Sequence, residues 1–569
     1  MGGKGKGKDK KASRTQQQQQ AAARRSPARP GSAATGARAT RETVVRDAEV
    51  READEPPASP APPPDRCYLD ISAVRIQDWL GRTPDLKFRR GGSVLLSEAT
   101  ARKAWDGRLP PGAGWNEEAG QVDGVVSLVM DPPNTDALAV ARHVAQRMRA
   151  VMPHCHLQAV SGRGASYAAA YADMARARRD GDLLIDAPSA PPELILAKPC
   201  DQCRSAAAVR KGVAISDGEK PVDLCAECDA RLDAAGRTAG RPSQAPLPER
   251  RLREALGQAG MAVTDFSATF ADMAAAGERD RDDAATQLAL IYADGNKVGA
   301  FLTRAAGIDG GPAKAEIAPL LDRATLGALA QAVIDRFDGW PKPPVLVNLA
   351  GGDDLLVSVP AVDAWLFTKT LPTSFTALLD KATATSDWPR EARENIPTLA
   401  AGMIFHHLKT PFSDVVRLAA EQLRLAKAKT RGGAAVAFLD LTADGNQPPP
   451  GRAPVTLDYL TVNAGRLQQI ADLPPSRRHT LLGLLRDGET QDFIARLTDF
   501  DSKPLWELAA GPGADAPAVR GALAASGDKR DELRRALDIA RHWHAEPRDD
   551  DSSDHDSSDH DDSKGGRTS

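Results

Sequence analysis

Three acidic residues stand at two places where the sequence indicates the end of a strand. Asp294 ends the apolar run LALIYAD, and Asp353 and Asp354 lie in a turn between the apolar runs VLVNLA and LLVSV. Closely spaced carboxylates hold the metal ions that nucleotidyl transfer needs to orient a triphosphate and to stabilise charge on the leaving pyrophosphate. Gly351 and Gly352 allow this turn unusual backbone dihedrals and let a phosphate approach closely. The alternative is an ordinary hairpin, because Asp and Gly are common turn residues.

Four of the six cysteines form two CxxC pairs with 21 residues between them. This spacing suits a tetrahedral zinc ion held by four thiolates, which leaves no open position for catalysis. We therefore predict a structural zinc module, with four unliganded thiols as the alternative. The two other cysteines are expected to be buried thiols. The predicted zinc ligands are Cys200, Cys203, Cys225 and Cys228.

The elements that must position the acidic residues follow the order β, α, α, β, β, α, β, α, β. This order contains a ferredoxin-like βαββαβ core, the architecture of a palm domain. In such a core the two strands that carry the carboxylates are adjacent, so the carboxylates can converge. Strands alternating with helices up to about residue 190 indicate an earlier α/β domain, with a turn expected at Gly91-Gly92. From about residue 455 to 546 the pattern is helical, without a convincing strand.

Both ends of the chain differ in composition from its centre. A chain of 569 residues is too long for one core, and its net charge of −3 hides a basic, Pro-rich front arm and an acidic, low-complexity tail. Both ends are predicted to be disordered, and the arm either contacts RNA or solubilises the chain. No run of 18 apolar residues and no signal-peptide pattern is present, so we expect a soluble, cytoplasmic protein that binds no membrane.

Several segments resemble one family. YADGNKVG, AGGDDLLVSVP, AAGMIFHHLKTPFSDVV and the helix ending LAKAK are similar to the catalytic palm of the large polymerase-like subunit of type III CRISPR effector complexes. That palm is itself similar to GGDEF-type dinucleotide cyclases and class III adenylyl cyclases. DISAVRIQDWLGRT, RRGGSVLLSEA and SGRGASYAAAYADMARAR resemble the first, non-catalytic palm of the same subunit. With the cysteine module and the helical end, the resemblance covers about residues 66–545.

The resemblance implies a reaction in antiviral defence: ATP is joined 3′ to 5′ and cyclised into oligoadenylate messengers when the complex senses target RNA. It makes Asp294 and Asp353 ligands of Mg²⁺ or Mn²⁺, Asp354 a ligand or an electrostatic neighbour, and the Gly295 carbonyl a further ligand. In GGDEF domains a Lys near the end of the last helix and an Arg four residues later grip phosphates. Lys427 and Arg431 have this spacing, and a solvated basic helix end is the alternative. Guide RNA, target RNA and the other effector subunits are the implied partners.

One residue departs from the family pattern. Many relatives carry a second acid two residues after the first strand aspartate, where this chain has Asn296. An amide is a poor ligand for a hard cation, so one metal position is expected to be weaker. Two alternatives to the enzyme therefore stay open. One is a structural subunit that holds guide RNA and small helical subunits, and the other is a stand-alone cyclase that makes a dinucleotide without guide RNA.

Two features of relatives are expected to be missing. Many begin with an HD nuclease domain, but here the only His-Asp dipeptides lie in the acidic tail, so no DNA nuclease activity is expected. The first palm has no equivalent of the Gly-Gly-Asp-Asp turn, and Asp70 and Asp123 are expected to be structural.

The sequence thus predicts an α+β protein with two ferredoxin-like palm (βαββαβ) domains, a small zinc-binding module between them and a C-terminal helical domain. In chain order the predicted regions are a disordered arm (1–64), the non-catalytic palm (65–190), the zinc module (191–235), a helical linker (236–285), the catalytic palm (286–450), the helical domain (451–546) and the acidic tail (547–569).

Overall fold

The structure is a computed structural model that describes residues 65–544. Within this range it leaves out residues 121–123, 189–196, 216–219, 239–246, 268, 278–285, 307, 309–313, 385–387, 431–432, 450–451 and 501. The predicted arm, the acidic tail, Asp123 and Arg431 lie outside the described residues.

The first sheet has five strands, and each neighbouring pair is antiparallel. Its strands are β1 (Arg66–Val74), β2 (Ala113–Trp115), β3 (Val125–Met130), β4 (His156–Gly164) and β5 (Ile185–Ala187). The helices around it are α1 (Ile76–Gly81), α2 (Leu86–Thr100), α3 (Ala137–Val151) and α4 (Tyr167–Asp180). The strand order is β2-β3-β1-β4-β5. One face of the central strand β1 packs with α2 and α3, and the other packs with α4, which explains why β1 is an almost continuous apolar run.

The turn predicted at Gly91-Gly92 is wrong, because α2 continues through both glycines. They lie against α5 (Ala226–Thr238), the next helix in the chain. A Cβ at Gly91 would clash with the backbone oxygen of Arg231, and one at Gly92 would lie 2.8 Å from the Leu80 side chain. The two glycines therefore serve close packing of two helices and not a change of chain direction.

A small module separates the two sheets in sequence. It consists of the antiparallel pair β6 (Arg210–Val213) and β7 (Val222–Leu224), followed by α5. Its core contains the four cysteines of the CxxC pairs and Phe88 of α2. Two helices then lead to the second sheet, α6 (Leu247–Gln258) and α7 (Phe270–Ala276).

The second sheet has six strands. They are β8 (Gln287–Asn296), β9 (Leu346–Gly351), β10 (Asp354–Pro360), β11 (Thr398–His407), β12 (Ala435–Asp440) and β13 (Val455–Thr456). The helices are α8 (Val298–Ala306), α9 (Lys314–Phe337), α10 (Ala364–Ala384), α11 (Arg390–Arg393) and α12 (Phe412–Thr430). The order is β13-β12-β11-β8-β10-β9, and β11–β12 is the parallel pair. The strands β11-β8-β10-β9 repeat the order β4-β1-β3-β2 of the first sheet, so each sheet contains the predicted ferredoxin-like core.

Helices cover both faces of the second sheet. Alternate residues of β8, Ala289, Ile291 and Ala293, belong to the core that α9 and α10 share, while Leu290 packs with α12. By length and composition alone, the segment Glu316–Phe337 of α9 is apolar enough to span a membrane. Of its most apolar window, 56% is buried inside the protein, as in a core helix.

Among the described residues, seven helices follow the second sheet. They are α13 (Leu457–Val462), α14 (Ala464–Ala471), α15 (Pro475–Asp487), α16 (Thr490–Asp499), α17 (Lys503–Ala510), α18 (Ala516–Ala525) and α19 (Gly527–Ala540). The region is not wholly helical, because β13 adds two residues to the edge of the sheet by pairing with β12. The predicted α+β class, with two palms, a four-cysteine module between them and C-terminal helices, is confirmed.

A buried hydrogen bond joins these helices to the sheet. His542, just after α19, lies 3.0 Å from Asp440 at the end of β12, and its ring stacks on Phe405 of β11 with centroids 4.0 Å apart. Burial alone would raise the pKa of Asp440, but the hydrogen bond and charge of His542, with Thr442 and Arg541, hold it well below its usual value. The helical region is therefore fixed to the palm by more than apolar packing.

Candidate active site

The acidic residues lie where β8 and β10 end side by side. In the antiparallel pairing of these strands, Leu355 is opposite Ala293. One step further along the same register, Asp354 comes opposite Asp294. The adjacency that the palm order predicted is therefore present in the structure.

Asp353 reaches β8 because Gly295 has no side chain. A Cβ built on Gly295 would lie 2.4 Å from Cγ2 of Val298 and 2.7 Å from Oδ2 of Asp353, closer than real Cβ atoms come, and 3.0 Å from the Asp353 Cβ. The carboxylate of Asp353 thus packs directly on the Gly295 backbone. The turn itself depends on Gly352, whose φ of 61° lies in the left-handed region that favours glycine. Gly352 therefore allows the shape of the turn, and Gly295 on the neighbouring strand leaves room for the carboxylate of Asp353.

Lys427 of α12 places a positive charge between two oxygens of β8. Its ammonium donates to Oδ2 of Asp294 and, at 2.9 Å, to the carbonyl oxygen of Gly295. Both side chains are partly exposed, 31% for Lys427 and 27% for Asp294. The Asp294 carboxylate and the Gly295 carbonyl oxygen are therefore directed at the same positive charge. A solvated helix end, the alternative for this lysine, does not describe its position, whereas Arg431 falls outside the described residues.

The local electrostatics favour a cation. Partial burial, followed by repulsion from Asp294, raises the pKa of Asp353 and of Asp354 above the usual range of a carboxyl group, and Lys427 opposes this shift. Burial and the charge of all three aspartates likewise raise the pKa of Tyr292. Three acidic groups thus lie near the ammonium of Lys427 at a partly exposed position. Carboxylate and carbonyl oxygens are the ligands that hard divalent cations prefer, so this donor set fits Mg²⁺ or Mn²⁺.

The four cysteines form a tighter cluster than the aspartates. Their sulfur atoms lie within 4.8 Å of one another, and Cys203 and Cys225 are 3.6 Å apart. A tetrahedron with zinc–sulfur bonds of about 2.3 Å has edges of about 3.8 Å, so the cluster fits a zinc ion. In the part of the chain that the structure describes, this is the one group of three or more ligand atoms that close together. The aspartates meet instead in pairs around Asp294.

Asn296 binds the framework of the sheet. Its side-chain nitrogen donates to Thr398 Oγ1 at 2.9 Å and to the Gly433 carbonyl oxygen at 3.1 Å. The residue is buried, with 5% of its surface exposed. It therefore connects the end of β8 to the start of β11 and to the chain that enters β12.

Three further side chains contact the turn and were not predicted from the sequence. They are Arg251 of α6, and Asp322 and Thr325 of α9. The signal available in the sequence was the three-residue spacing of Asp322 and Thr325, which places them on one face of α9.

Comparison with known families supports the identity of the second palm. Residues 287–435 match the family model described as Cas10/Cmr2, second palm domain. The match begins with the first residue of β8 and ends with the first residue of β12, so it contains all three aspartates and Lys427. It confirms the predicted resemblance to the Cas10-like large subunit of type III CRISPR complexes. No curated protein matches the chain.

Solved structures are similar to the chain over most of its length. A Csm1-Csm4 cassette without ligand has a TM-score of 0.47 and 14% identity, and the match covers 84% of this chain and 70% of that one. The cassette in complex with cA4 has a TM-score of 0.44 at the same identity and coverage. Csm1 from T. onnurineus has a TM-score of 0.42 and 15% identity, covering 84% of this chain and 69% of that one. These TM-scores are too low to carry an argument about the site, which rests on the geometry above.

Proposed function

We propose that the second palm is a metal-dependent nucleotidyltransferase that joins ATP 3′ to 5′ and cyclises the product to an oligoadenylate messenger. It acts in type III CRISPR defence as the large subunit of an RNA-guided complex. One observation carries the proposal: the Asp294 carboxylate and the Gly295 carbonyl both contact the Lys427 ammonium, while Asp353 packs against Gly295. The choice of ATP, the cyclic product and the RNA partners follow from the family resemblance.

The residues have distinct roles in this reaction. Asp294 and the Gly295 carbonyl would hold a divalent cation from β8, Asp353 would hold it from the turn, and Asp354 would add a ligand or negative potential. A cation held there would supply the positive charge that lowers the pKa of the attacking hydroxyl and offsets the charge of the leaving pyrophosphate. A Cβ at Gly351 or Gly352 would meet no atom within 4 Å, so the space beside the turn is open to a phosphate.

Lys427 supplies positive charge on the α12 side of the site. Its ammonium already contacts Asp294, and its partial exposure lets it reach a phosphate oxygen close to that carboxylate. A lysine binds phosphate as a mobile point charge, which suits a site where charge moves during the reaction. Arg431, four residues later, is the second predicted phosphate ligand.

Asn296 does not favour the structural-subunit alternative. Both hydrogen bonds of its amide nitrogen go to the framework of the sheet. The amide therefore has a structural role at this position, and its presence is no evidence that turnover was lost.

The test is product formation by the complex purified with its own subunits and guide RNA. ATP with Mg²⁺ or Mn²⁺ should give cyclic oligoadenylate and pyrophosphate, detected by mass spectrometry, and more of it with target RNA. The double variant Asp353→Ala, Asp354→Ala should give none. Asp414→Asn on α12, which removes an exposed carboxylate of the same helix as Lys427, is the matched control and should be fully active. Product from the double variant, or none from the wild type with either metal, would contradict the proposal.

The four-cysteine cluster holds a structural zinc ion in this proposal. Elemental analysis of the purified protein should find one zinc per chain. Cys225→Ser should lose the zinc and lower the melting temperature, because four thiolates contribute folding free energy through the metal. Cys155→Ser, which changes a buried thiol outside the cluster, is the control and should keep the zinc.

A further inference from the structure

Helix α9 contacts the turn that carries Asp353. It forms hydrogen bonds with both backbone polar groups of Gly352, the residue before Asp353. The amide of Gly352 donates to Asp322 Oδ1 at 3.1 Å, and its carbonyl oxygen accepts from Thr325 Oγ1 at 2.7 Å. Residues three apart lie on the same face of a helix, so one short stretch of α9 makes both contacts. The residue before the candidate metal ligand is thus fixed from the helix side.

A second helix completes this set of contacts. The guanidinium of Arg251 on α6 pairs with Asp322 Oδ2, and its Nη1 donates to the Ala350 carbonyl oxygen at 3.3 Å. The two oxygens of Asp322 therefore serve different partners, one the Gly352 amide and the other Arg251. We call Arg251, Asp322 and Thr325 the turn clamp. It binds three backbone groups of the turn, two of them on Gly352.

The turn needs such external contacts. Gly351 and Gly352 have no side chains, and the positions where a Cβ would stand meet nothing within 4 Å. A stretch with two glycines loses more backbone entropy than any other when it becomes ordered. In addition, Asp353 is brought towards Asp294, a group of like charge, which pushes the turn away from β8. Hydrogen bonds to the backbone of the turn oppose both effects.

We propose that the turn clamp consists of positioning residues that hold Asp353 against Gly295 of β8 without touching metal or substrate. The inference rests on the proposed function, since it assigns these residues to the metal-binding turn of that reaction. Arg251 lies outside the matched palm segment 287–435, on a helix whose buried Glu249 pairs with Arg90 of α2. The orientation of the catalytic turn therefore depends on a helix that is not part of the palm.

The experiment compares Asp322→Ala and Thr325→Val with wild type in the purified complex. Mn²⁺ affinity is measured by electron paramagnetic resonance, hydrogen exchange of the Gly352 amide by mass spectrometry, and kcat and KM for ATP by product formation. Residues that orient a metal ligand change metal affinity or activity by about 10- to 100-fold when removed. We expect both variants to lose Mn²⁺ affinity and kcat by that factor at little changed KM. Exchange of the Gly352 amide should become faster in Asp322→Ala.

Conservative variants separate the contributions of the clamp. Thr325→Ser keeps the hydroxyl that donates to Gly352 and should restore wild-type values. Asp322→Asn keeps an acceptor for the Gly352 amide but loses the charge that pairs with Arg251, so it should lie between wild type and Asp322→Ala.

The matched control lies at the other end of the same helix. Arg336 on α9 pairs with Asp363 at 2.7 Å, and both side chains are almost fully buried. Asp363→Asn should lower the melting temperature at least as much as Asp322→Ala while leaving Mn²⁺ affinity and Gly352 exchange unchanged. If Asp363→Asn weakened Mn²⁺ binding as much as Asp322→Ala, the clamp would be a contribution to general stability and the proposal would be wrong.

Failure of this inference can be distinguished from failure of the proposed function. If the wild type made no product, but Asp322→Ala still weakened Mn²⁺ binding and freed the Gly352 amide, the clamp would stand and the reaction would not. If the wild type made product and both clamp variants kept its kcat, Mn²⁺ affinity and amide exchange, the clamp would be overturned and the reaction would stand.

Discussion

The two palms share a strand order but differ at the ends of their central strands. The two palms can be aligned on the residue that pairs with the start of the fourth core strand, which is Val74 in the first palm and Asn296 in the second. In this alignment Ser72 and Val125 of the first palm correspond to Asp294 and Asp354 of the second. Ser72 and Val125 are opposite each other in the first sheet. The same rung thus holds a hydroxyl and an apolar side chain in one palm and two carboxylates in the other.

The next rung shows an exchange of small and large residues. In the first palm Ala73 is on the strand and Gly124 is at the turn, and the amide of Ala73 donates to the Gly124 carbonyl oxygen at 2.7 Å. In the second palm Gly295 is on the strand and Asp353 is at the turn. Only the second arrangement brings a carboxylate onto the backbone of a glycine.

The first palm keeps its acidic residue inside the sheet. Asp70 of β1 is buried, and it accepts hydrogen bonds from Ser127 at 2.6 Å, Tyr167 at 2.8 Å and Arg178 at 3.1 Å. Its two oxygens are thereby occupied by protein donors, in agreement with the structural role expected for it. The palm order makes two strands adjacent, but the residues at their ends decide whether the adjacency becomes a metal site.

The largest effect that this comparison predicts is the loss of activity in Asp294→Asn. Removing a metal ligand withdraws several kcal/mol of transition-state stabilisation, which corresponds to a loss of about 1000-fold or more in kcat. The free energy of unfolding should stay the same or rise, because one of three mutually repelling carboxylates is neutralised. Ser72→Ala, at the corresponding position of the first palm, is the control for kcat and should behave as wild type. Activity in Asp294→Asn within tenfold of wild type would remove the basis of the comparison.

Gly295→Ala should reduce kcat by about 100-fold, since displacement of reacting groups by about 1 Å has effects of this size. The added Cβ would take the place of the Asp353 carboxylate. The reciprocal change in the first palm, Ala73→Gly, should cost about 1 kcal/mol of stability and no activity. Measuring kcat and thermal unfolding for both variants tests whether only the second palm requires glycine at this rung. Equal kcat in Gly295→Ala and wild type would show that Asp353 acts elsewhere.

Asp70→Asn should lower stability and leave activity unchanged, the reverse of the effect expected for Asp294→Asn. Three donors converge on this carboxylate. An amide accepts only at its oxygen, so one hydroxyl would have to turn and accept from the new NH2 group, and Arg178 would lose the charge that it now pairs with. We expect a loss of about 2 kcal/mol in the free energy of unfolding, the scale of a hydrogen bond to a charged group. The kcat of the folded protein should not change. Denaturant unfolding and activity below the transition measure the two quantities, and a fall in kcat without loss of stability would place Asp70 in the mechanism.

The sequence predicted the palm order and the convergence of the carboxylates because both depend on local patterns. Asp294 follows a long apolar run, and Asp353 follows two glycines between two further runs, so their strand ends could be located directly. The strand order then made them neighbours. Residues that contact the site from another element carry no such local signal. Asp322 lies on α9 and Arg251 on α6, and their relation to Gly352 depends on how the helices pack.

The misplaced turn at Gly91-Gly92 has the same cause. Glycine pairs indicate turns when only the chain itself is considered. Gly91 is required because α5, a helix more than a hundred residues later in the chain, packs against it. The backbone of Arg231 on α5 occupies the space that a side chain at Gly91 would need. The Gly351-Gly352 pair does form a turn, and local sequence alone does not distinguish the two cases.

The smallest predicted effect concerns Asn296, which the first palm replaces with Val74 at the corresponding rung. Asn296→Asp introduces the acid that many relatives carry, and metal chemistry alone would predict tighter binding. The structure predicts the reverse, because a carboxylate cannot donate to the Gly433 carbonyl oxygen that the amide now contacts at 3.1 Å. Two acceptors would then face each other at the end of β8, at a cost of about 1 kcal/mol in stability. Mn²⁺ affinity should fall a few-fold or stay level in Asn296→Asp. If Mn²⁺ affinity and kcat both rose in Asn296→Asp, residue 296 would face the metal. The second palm would then have one metal-binding acid fewer than many relatives carry.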